Sequence, residues 1–176
     1  VGNEKLFLHI FKVRVNDNFI QHWYEETANS TRADSYRLFS DFGFKEYLIQ
    51  VNIKKFRQAL TRLRLSSHRL QIETGRWHRP NSIPRNERKC QQCNILEDEF
   101  HFLLECPLYD IFRKQYIKQL YWRNPNILKF KSLLKTENTQ ELRNLAVFVY
   151  KGFELRNITF YINTYAKVTV TVLKHN

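Results

Sequence analysis

Four side chains that can bind a metal ion lie close together in the middle of the sequence. The segment KCQQCNILEDEFHFLLECPLY, residues 89–109, contains all three cysteines of the chain, Cys90, Cys93 and Cys106, together with His101. Their spacing is Cys-x2-Cys-x7-His-x4-Cys. Zinc takes four such ligands in a tetrahedron, and a Cys3His set leaves no position open for a catalytic water. The sequence therefore predicts that these four residues bind one structural Zn²⁺.

Other chemistry is open to the same residues when each is taken alone. A Cys-x2-Cys pair can be redox-active, as in thioredoxin-like folds, and a lone histidine or cysteine on an apolar helix can be buried in a core. The sequence around Cys90 has no βαβ pattern, however, and one metal ion would use every cysteine. On an unbroken α-helix, His101 and Cys106 would lie about 140° apart. We therefore expect the backbone to deviate near Cys106, and Pro107 supplies a reason.

The chain is strongly basic, and most of the excess charge lies directly before the first cysteine. The formal net charge is +12 at pH 7, and residues 54–89 contain eleven Lys and Arg against two Glu. Such a block attracts polyanions and gains affinity when their counterions are released. Arginines contact phosphates, and aromatic rings stack on bases. We expect nucleic-acid contacts from Arg62, Arg69, Arg76, Trp77, Arg79, Arg85, Arg88 and Lys89.

Apolar periodicity predicts a mainly α-helical fold with a small zinc-stapled knuckle. Predicted helices cover residues 17–28 with Asp17 as N-cap, and residues 42–51, 53–72, 97–105, 108–122, 127–134 and 140–161. Helix 53–72 is the clearest, since Ile53, Phe56, Leu60, Leu63 and Leu70 share one face. Its basic residues are expected on the opposite, solvated face: Lys54, Lys55, Arg57, Arg62, Arg64 and Arg69. Residues 167–173 alternate β-branched side chains, which favours either a short C-terminal strand or a tail foreign to the domain.

Composition and patterning divide the chain into three segments. Residues 1–52 are predicted as an N-terminal helical segment, residues 53–122 as the basic helix with the zinc knuckle and the following helix, and residues 123–176 as a C-terminal helical extension and tail. The hydrophobic fraction of 43% is enough to form a core. No apolar run reaches the ~20 residues that a membrane span needs. The absence of methionine indicates a piece of a longer protein.

Three sequence runs resemble the C-terminal zinc-binding region of non-LTR retrotransposon reverse transcriptases: LTRLRLSSHRLQIETGRWHRP, IPRNERKCQQCN and EDEFHFLLECPLY. The resemblance covers residues 54–116, and its most specific part is the Cys-Cys-His-Cys knuckle. It implies a zinc-binding module that follows the polymerase and holds template RNA or target DNA, through contacts that are independent of base sequence. The expected partners are thus nucleic acid and the remainder of a polymerase chain, with no membrane and no small-molecule substrate. We expect an intracellular, nuclear protein.

We expect no catalysis from this chain itself. Polymerases use a close pair of aspartates to hold two metal ions, whereas the sequence has no Asp-Asp dipeptide. No carboxylate–lysine cluster of the nuclease kind follows Cys106. Three hypotheses remain: a non-catalytic module that binds nucleic acid, a fragment of an active reverse transcriptase, and a zinc-stabilised helical domain for protein–protein interaction.

Overall fold

The described part of the chain is mainly helical. The computed structural model describes the backbone of residues 2–173 and the side chains of residues 3–159. Within this part of the chain there is no β-sheet, and one antiparallel bridge joins Lys89 to Leu96. The mainly α-helical fold class predicted from the sequence is therefore confirmed. Among the described residues, no helix is both long and apolar enough to cross a bilayer.

Helices of very different length follow one another along the chain. In chain order the α-helices are α1 (Gly2–Asn29), α2 (Tyr36–Phe39), α3 (Tyr47–Gln50), α4 (Lys54–Arg64), α5 (Gln71–Thr74), α6 (Asp110–Tyr116), α7 (Gln119–Trp122), α8 (Ile127–Leu134) and α9 (Thr139–Leu173). Short 3₁₀ turns cover Gly75–Trp77, Arg85–Glu87 and Pro107–Tyr109, and a π-helix covers His101–Glu105.

The core lies where α4 packs along α9. On α4, Leu60 and Leu63 are fully buried because residues three apart share a helix face. On α9, the fully buried residues include Leu145, Ala146, Phe148 and Val149. Buried residues from all three predicted segments, from position 39 to position 149, belong to this same core.

The predicted helix 53–72 is wrong in its length, because α4 ends at Arg64 in a Schellman motif. Ser66 adopts a left-handed conformation with φ of 48°. The Ser67 N–H donates to the Arg62 carbonyl at 2.8 Å, and the Ser66 N–H donates to the Leu63 carbonyl at 3.2 Å. Glycine usually occupies the left-handed position of this motif, so the sequence carried no obvious stop signal there. Ile53, expected on the buried face, is half exposed.

Arg64 was expected on the solvated face of α4, and this prediction is wrong. Its position one turn after Leu60 places it on the core side. The guanidinium lies 4.8 Å from the Phe39 ring centroid and 4.7 Å from that of Tyr47. It also donates a hydrogen bond of 2.9 Å to the Leu134 carbonyl, so its charge is compensated within the core.

Three further predicted elements differ from the structure. Asp17 does not cap a helix, since it lies inside α1. The predicted helix 108–122 is interrupted at residues 117–118, between α6 and α7. The strand expected at residues 167–173 is wrong, because α9 continues through these residues. Extending a helix that is already nucleated costs only the small propensity penalty of each β-branched residue.

Glu99 joins three distant parts of the chain. It accepts hydrogen bonds of 2.8 Å from the hydroxyls of both Ser35 and Ser66, and its Oε1 lies 2.9 Å from His68 Nε2. Burial raises the pKa of this carboxyl, but the hydrogen bonds from His68 and Ser35 outweigh it and lower the pKa to about 2. Glu99 is thus an ionised carboxylate that fixes the turn after α4.

Replacing Glu99 is expected to destabilise the fold strongly. Glu99→Ala leaves the hydroxyls of Ser35 and Ser66 and the buried His68 without their acceptor, which costs about 3–5 kcal/mol. Urea unfolding at pH 7 measures this difference. Glu137→Ala is the control, because Glu137 is exposed. An equal and small effect of both substitutions would contradict the assigned role of Glu99.

Candidate metal centre

The first two cysteines lie on a tight turn. The Cys90 N–H donates to the Ile95 carbonyl at 2.7 Å, and the Asn94 N–H donates to the Cys90 carbonyl at 2.8 Å. Asn94 has a φ of 57°, a left-handed conformation that asparagine tolerates better than most residues. The bridge between Lys89 and Leu96 closes the turn at its base. The local sequence therefore brings the Cys90 and Cys93 side chains toward one point.

A π-turn brings the other two residues together. The Cys106 N–H donates to the His101 carbonyl at 2.9 Å, across five residues instead of the four of an α-helix. This widened turn places Cys106 above His101. Cys106 then leaves the helix in an extended conformation (φ −60°, ψ 120°), which is the conformation favoured before Pro107. The backbone therefore deviates from α-helical geometry, as the spacing of His101 and Cys106 required.

The four predicted metal ligands converge. The Sγ atoms of Cys90, Cys93 and Cys106 and a ring nitrogen of His101 all lie within 4.8 Å of one another. The Cys106 Sγ lies 3.9 Å from that of Cys90 and 3.7 Å from that of Cys93, and all three cysteines are free. Cys90, His101 and Cys106 are buried and Cys93 is half-buried. These residues lie close enough to bind one metal ion.

His101 is oriented for ligation by Nε2. Its Nδ1 lies 3.3 Å from Glu105 Oε2, while the buried Nε2 has no hydrogen-bond partner among the described residues. Burying an imidazole nitrogen without a hydrogen bond costs free energy, unless a metal ion accepts its lone pair. Burial lowers the pKa of His101, but interactions with Cys90 and Glu105 outweigh this effect and raise it. A carboxylate on Nδ1 is the usual arrangement behind a metal-bound histidine.

The three sulfurs cannot all ionise side by side without a cation. The pKa of Cys90 is lowered to about 3, first because the Cys106 thiol donates a hydrogen bond to it. The pKa of Cys106 is raised, first by the same hydrogen bond and then by burial, and burial raises the pKa of Cys93. One thiolate thus raises the cost of forming the next. A divalent cation bound here would remove this penalty and would hold all three as thiolates.

Buried side chains hold the π-turn against the rest of the fold. Arg113, which is 2% exposed, donates to the carbonyls of Leu103 and Cys106 at 2.8 Å. These acceptors lie at the end of the π-helix, where carbonyls lack partners within the helix. Phe102 packs against Gly152 of α9, where a Cβ atom would lie 2.7 Å from the phenyl ring. Glycine at this position is thus required for the close approach of the π-turn to α9.

Two of the acidic residues before the π-turn fix its position. The Glu97 carboxylate binds the Arg156 guanidinium of α9 through two contacts of 2.7 Å and accepts from the Gln71 N–H at 2.7 Å. Asp98 caps the helix, since its Oδ1 accepts from the His101 N–H at 2.9 Å. The cluster is therefore tied to α9 and to the start of α5.

The predicted nucleic-acid contacts fall into two groups. Three have side chains bound within the fold. Arg76 contacts Glu73 at 3.1 Å and Thr31 at 2.7 Å, Arg85 pairs with Asp34 at 2.9 Å, and Arg88 donates to the carbonyls of Ile72 and Ile83 at 2.9 Å. The others have exposed side chains that make no polar contact within the described part of the chain: Arg62, Arg69, Trp77, Arg79 and Lys89.

Two supporting residues escaped the sequence analysis. Glu105 lies four residues after His101, a spacing at which helical side chains meet, so the sequence carried a signal for this pair. Arg113 carried none, because it is one of many basic residues on a helical segment and its burial depends on the π-turn.

Compared with family models, with curated proteins and with solved structures, the chain matches none significantly.

Removing the carboxylate behind His101 should weaken metal binding. Glu105→Ala is expected to lower the affinity by roughly 10–100-fold, because Nδ1 loses the acceptor that sets its tautomer. Titration with Co²⁺, whose thiolate complexes absorb in the near ultraviolet, measures the dissociation constant. Glu105→Gln should recover part of the affinity, since its amide oxygen still accepts. Glu87→Ala, at an exposed carboxylate, is the control, and equal affinities for Glu105→Ala and Glu87→Ala would refute the role.

Proposed function

We propose that this chain is a non-catalytic zinc-binding module that binds nucleic acid, as the C-terminal part of a non-LTR retrotransposon reverse transcriptase. The exposed, unpaired cations of the basic block, directly before the metal cluster, are the observation that carries the binding function. The attribution to a reverse transcriptase rests on the sequence resemblance over residues 54–116. The parent protein would be the polymerase, and this module would hold its template or target.

The sulfur positions support zinc as the metal. With sulfur about 2.3 Å from zinc, two ligands of a tetrahedron are about 3.8 Å apart. Cys106 Sγ lies 3.9 Å from Cys90 Sγ and 3.7 Å from Cys93 Sγ, and both separations match this value. Three thiolates and one imidazole also form a soft ligand set that favours zinc over magnesium or calcium. When bound, the ion would cross-link the knuckle turn to the π-turn.

Charge and exposure support the binding of nucleic acid. Arg62, Arg69, Arg79 and Lys89 are exposed, and within the described residues none has a carboxylate partner that would neutralise it. Trp77 is 62% exposed in the same part of the chain. Free cations near an exposed indole suit a phosphate backbone with unpaired bases. The described part of the chain offers no element of known groove geometry, so contacts independent of base sequence are the simplest assignment.

A second candidate is protein–protein interaction, and α1 favours it. This helix exposes several large apolar side chains, among them Phe7 at 67%, Phe11 at 56% and Phe19 at 63%. Contiguous exposed apolar surface is typical of sites that another protein covers. A zinc-loaded chain without affinity for nucleic acid would leave this candidate in place.

Nucleic-acid binding should depend steeply on salt. For a single-stranded RNA of about 12 nucleotides, four phosphate contacts predict a slope of about −3 in log K against log [salt]. Fluorescence anisotropy between roughly 50 and 200 mM salt measures it. The same base sequence on the uncharged backbone of a peptide nucleic acid is the control and should bind far more weakly. A flat salt dependence, or equal binding of the uncharged oligomer, would refute the proposal.

A further inference from the structure

A concavity on the surface lies between α4 and α9, away from Cys90, Cys93, His101 and Cys106. Its volume is about 550 Å³. One wall is the face of α4 that carries Lys55, Ala59 and Arg62, and the opposite wall is α9 with Tyr150 and Glu154. The turn after α4 closes one side: Ser67, His68 and Arg69. Neither the metal cluster nor the loop containing Trp77 contributes to it.

The exposed cations that face this groove have no carboxylate partner within the described residues. Arg62 and Arg69 are exposed and unpaired in the part of the chain that the structure describes. Lys55 Nζ lies 5.0 Å from the centroid of the Tyr150 ring. The lining contains one further exposed charge, the carboxylate of Glu154, so two positive charges remain in excess. Like charges gathered on one surface repel each other, and a bound polyanion relieves that repulsion.

The other polar groups at the groove are held in the fold. Arg156 lines it but is buried and bound to Glu97, and His68 lines it but is buried against Glu99. The walls are therefore fixed by these buried contacts, while the cations at the rim are exposed to a ligand. Such a groove can bind an extended anion without reorganisation of the backbone.

We propose that this α4–α9 groove binds a single strand of RNA or DNA. Lys55, Arg62 and Arg69 would contact its phosphates, and Tyr150 would contact a base. The inference rests on the proposed function and specifies its site and strand type. A volume of about 550 Å³ suits a small part of one strand, within the range of roughly 300–1,000 Å³ of ligand sites. Only unpaired bases can reach an aromatic wall, since a duplex keeps its bases stacked inside.

The site differs from the one that charge patterning alone would select. In the sequence, arginine and tryptophan lie closest together at residues 76–79. The groove instead contains Arg62 of α4, Arg69 of the turn after α4, and an aromatic wall from α9. Tyr150 and Lys55 were not among the predicted contacts. The two locations can therefore be separated by mutation.

Charge reversal at three places tests the assignment. The groove variant is Arg62→Glu/Arg69→Glu, the loop variant is Arg79→Glu/Lys89→Glu, and the control is Lys114→Glu/Arg123→Glu, at exposed cations of α6 and the end of α7. All three change the net charge equally, so differences between them report location. Binding of a single-stranded RNA of about 12 nucleotides and of a duplex of the same length is measured, with circular dichroism and metal content checking each fold.

The groove variant should bind the single strand at least tenfold more weakly than the control, and its salt slope should fall by about 1.4 for two lost contacts. The loop variant should lose less. Glu154→Gln should bind more tightly than the wild-type chain, because it removes a negative charge from the groove. If the groove variant does not fold, two single substitutions test the groove instead. Lys55→Gln should bind the single strand more weakly than the wild-type chain, and Glu154→Gln should bind it more tightly.

Two results would overturn the groove assignment while leaving the proposed function intact: a larger loss for the loop variant than for the groove variant, or tighter binding of the duplex than of the single strand. If the wild-type chain binds no nucleic acid at low salt, the proposed function itself fails, and the groove assignment fails with it.

Discussion

Three sulfurs and one imidazole nitrogen lie within 4.8 Å of one another, and this crowding is the constraint on which the fold around them depends. Without a cation, each thiolate raises the cost of the next, and the buried Nε2 of His101 has no partner among the described residues. A bound divalent cation satisfies all four atoms. Because an unfolded chain has no preformed site, the free energy of binding would stabilise the fold directly.

Two acidic residues, Glu97 and Glu99, connect the cluster of Cys90, Cys93, His101 and Cys106 to the groove. Glu97 binds Arg156 of α9, and Glu99 binds His68 in the turn after α4. Both partners line the groove, one on each side. If the proposed function holds, the knuckle would therefore affect nucleic-acid binding without touching the nucleic acid. By fixing the segment between its second cysteine and its histidine, it would set the positions of both groove walls.

The convergence of Cys90, Cys93, His101 and Cys106 was predictable because ligand chemistry depends on residue type and spacing, which the sequence displays. Helix periodicity also gave most of the helical fold. The burial of Arg64 was not predictable in this way. A helical wheel drawn over residues 53–72 assumes one continuous helix, whereas α4 ends at Arg64 in a turn that the apolar pattern does not indicate. That turn depends on Ser66 in a left-handed conformation, held by Glu99 from 33 positions away. The π-turn was foreseen only as a necessary deviation, and its support by Arg113 arises from tertiary packing.

Hydrogen–deuterium exchange of the zinc-loaded chain, before and after treatment with a chelator, tests the central claim most directly. We expect about one zinc per chain. Its removal should speed exchange of the amides of Asn94 and Cys106 in the cluster and, through Glu97 and Glu99, of amides in the groove walls around His68 and Arg156. Exchange that stays slow and unchanged after zinc is removed, or a folded chain purified without metal, would show that the fold does not depend on a bound metal ion.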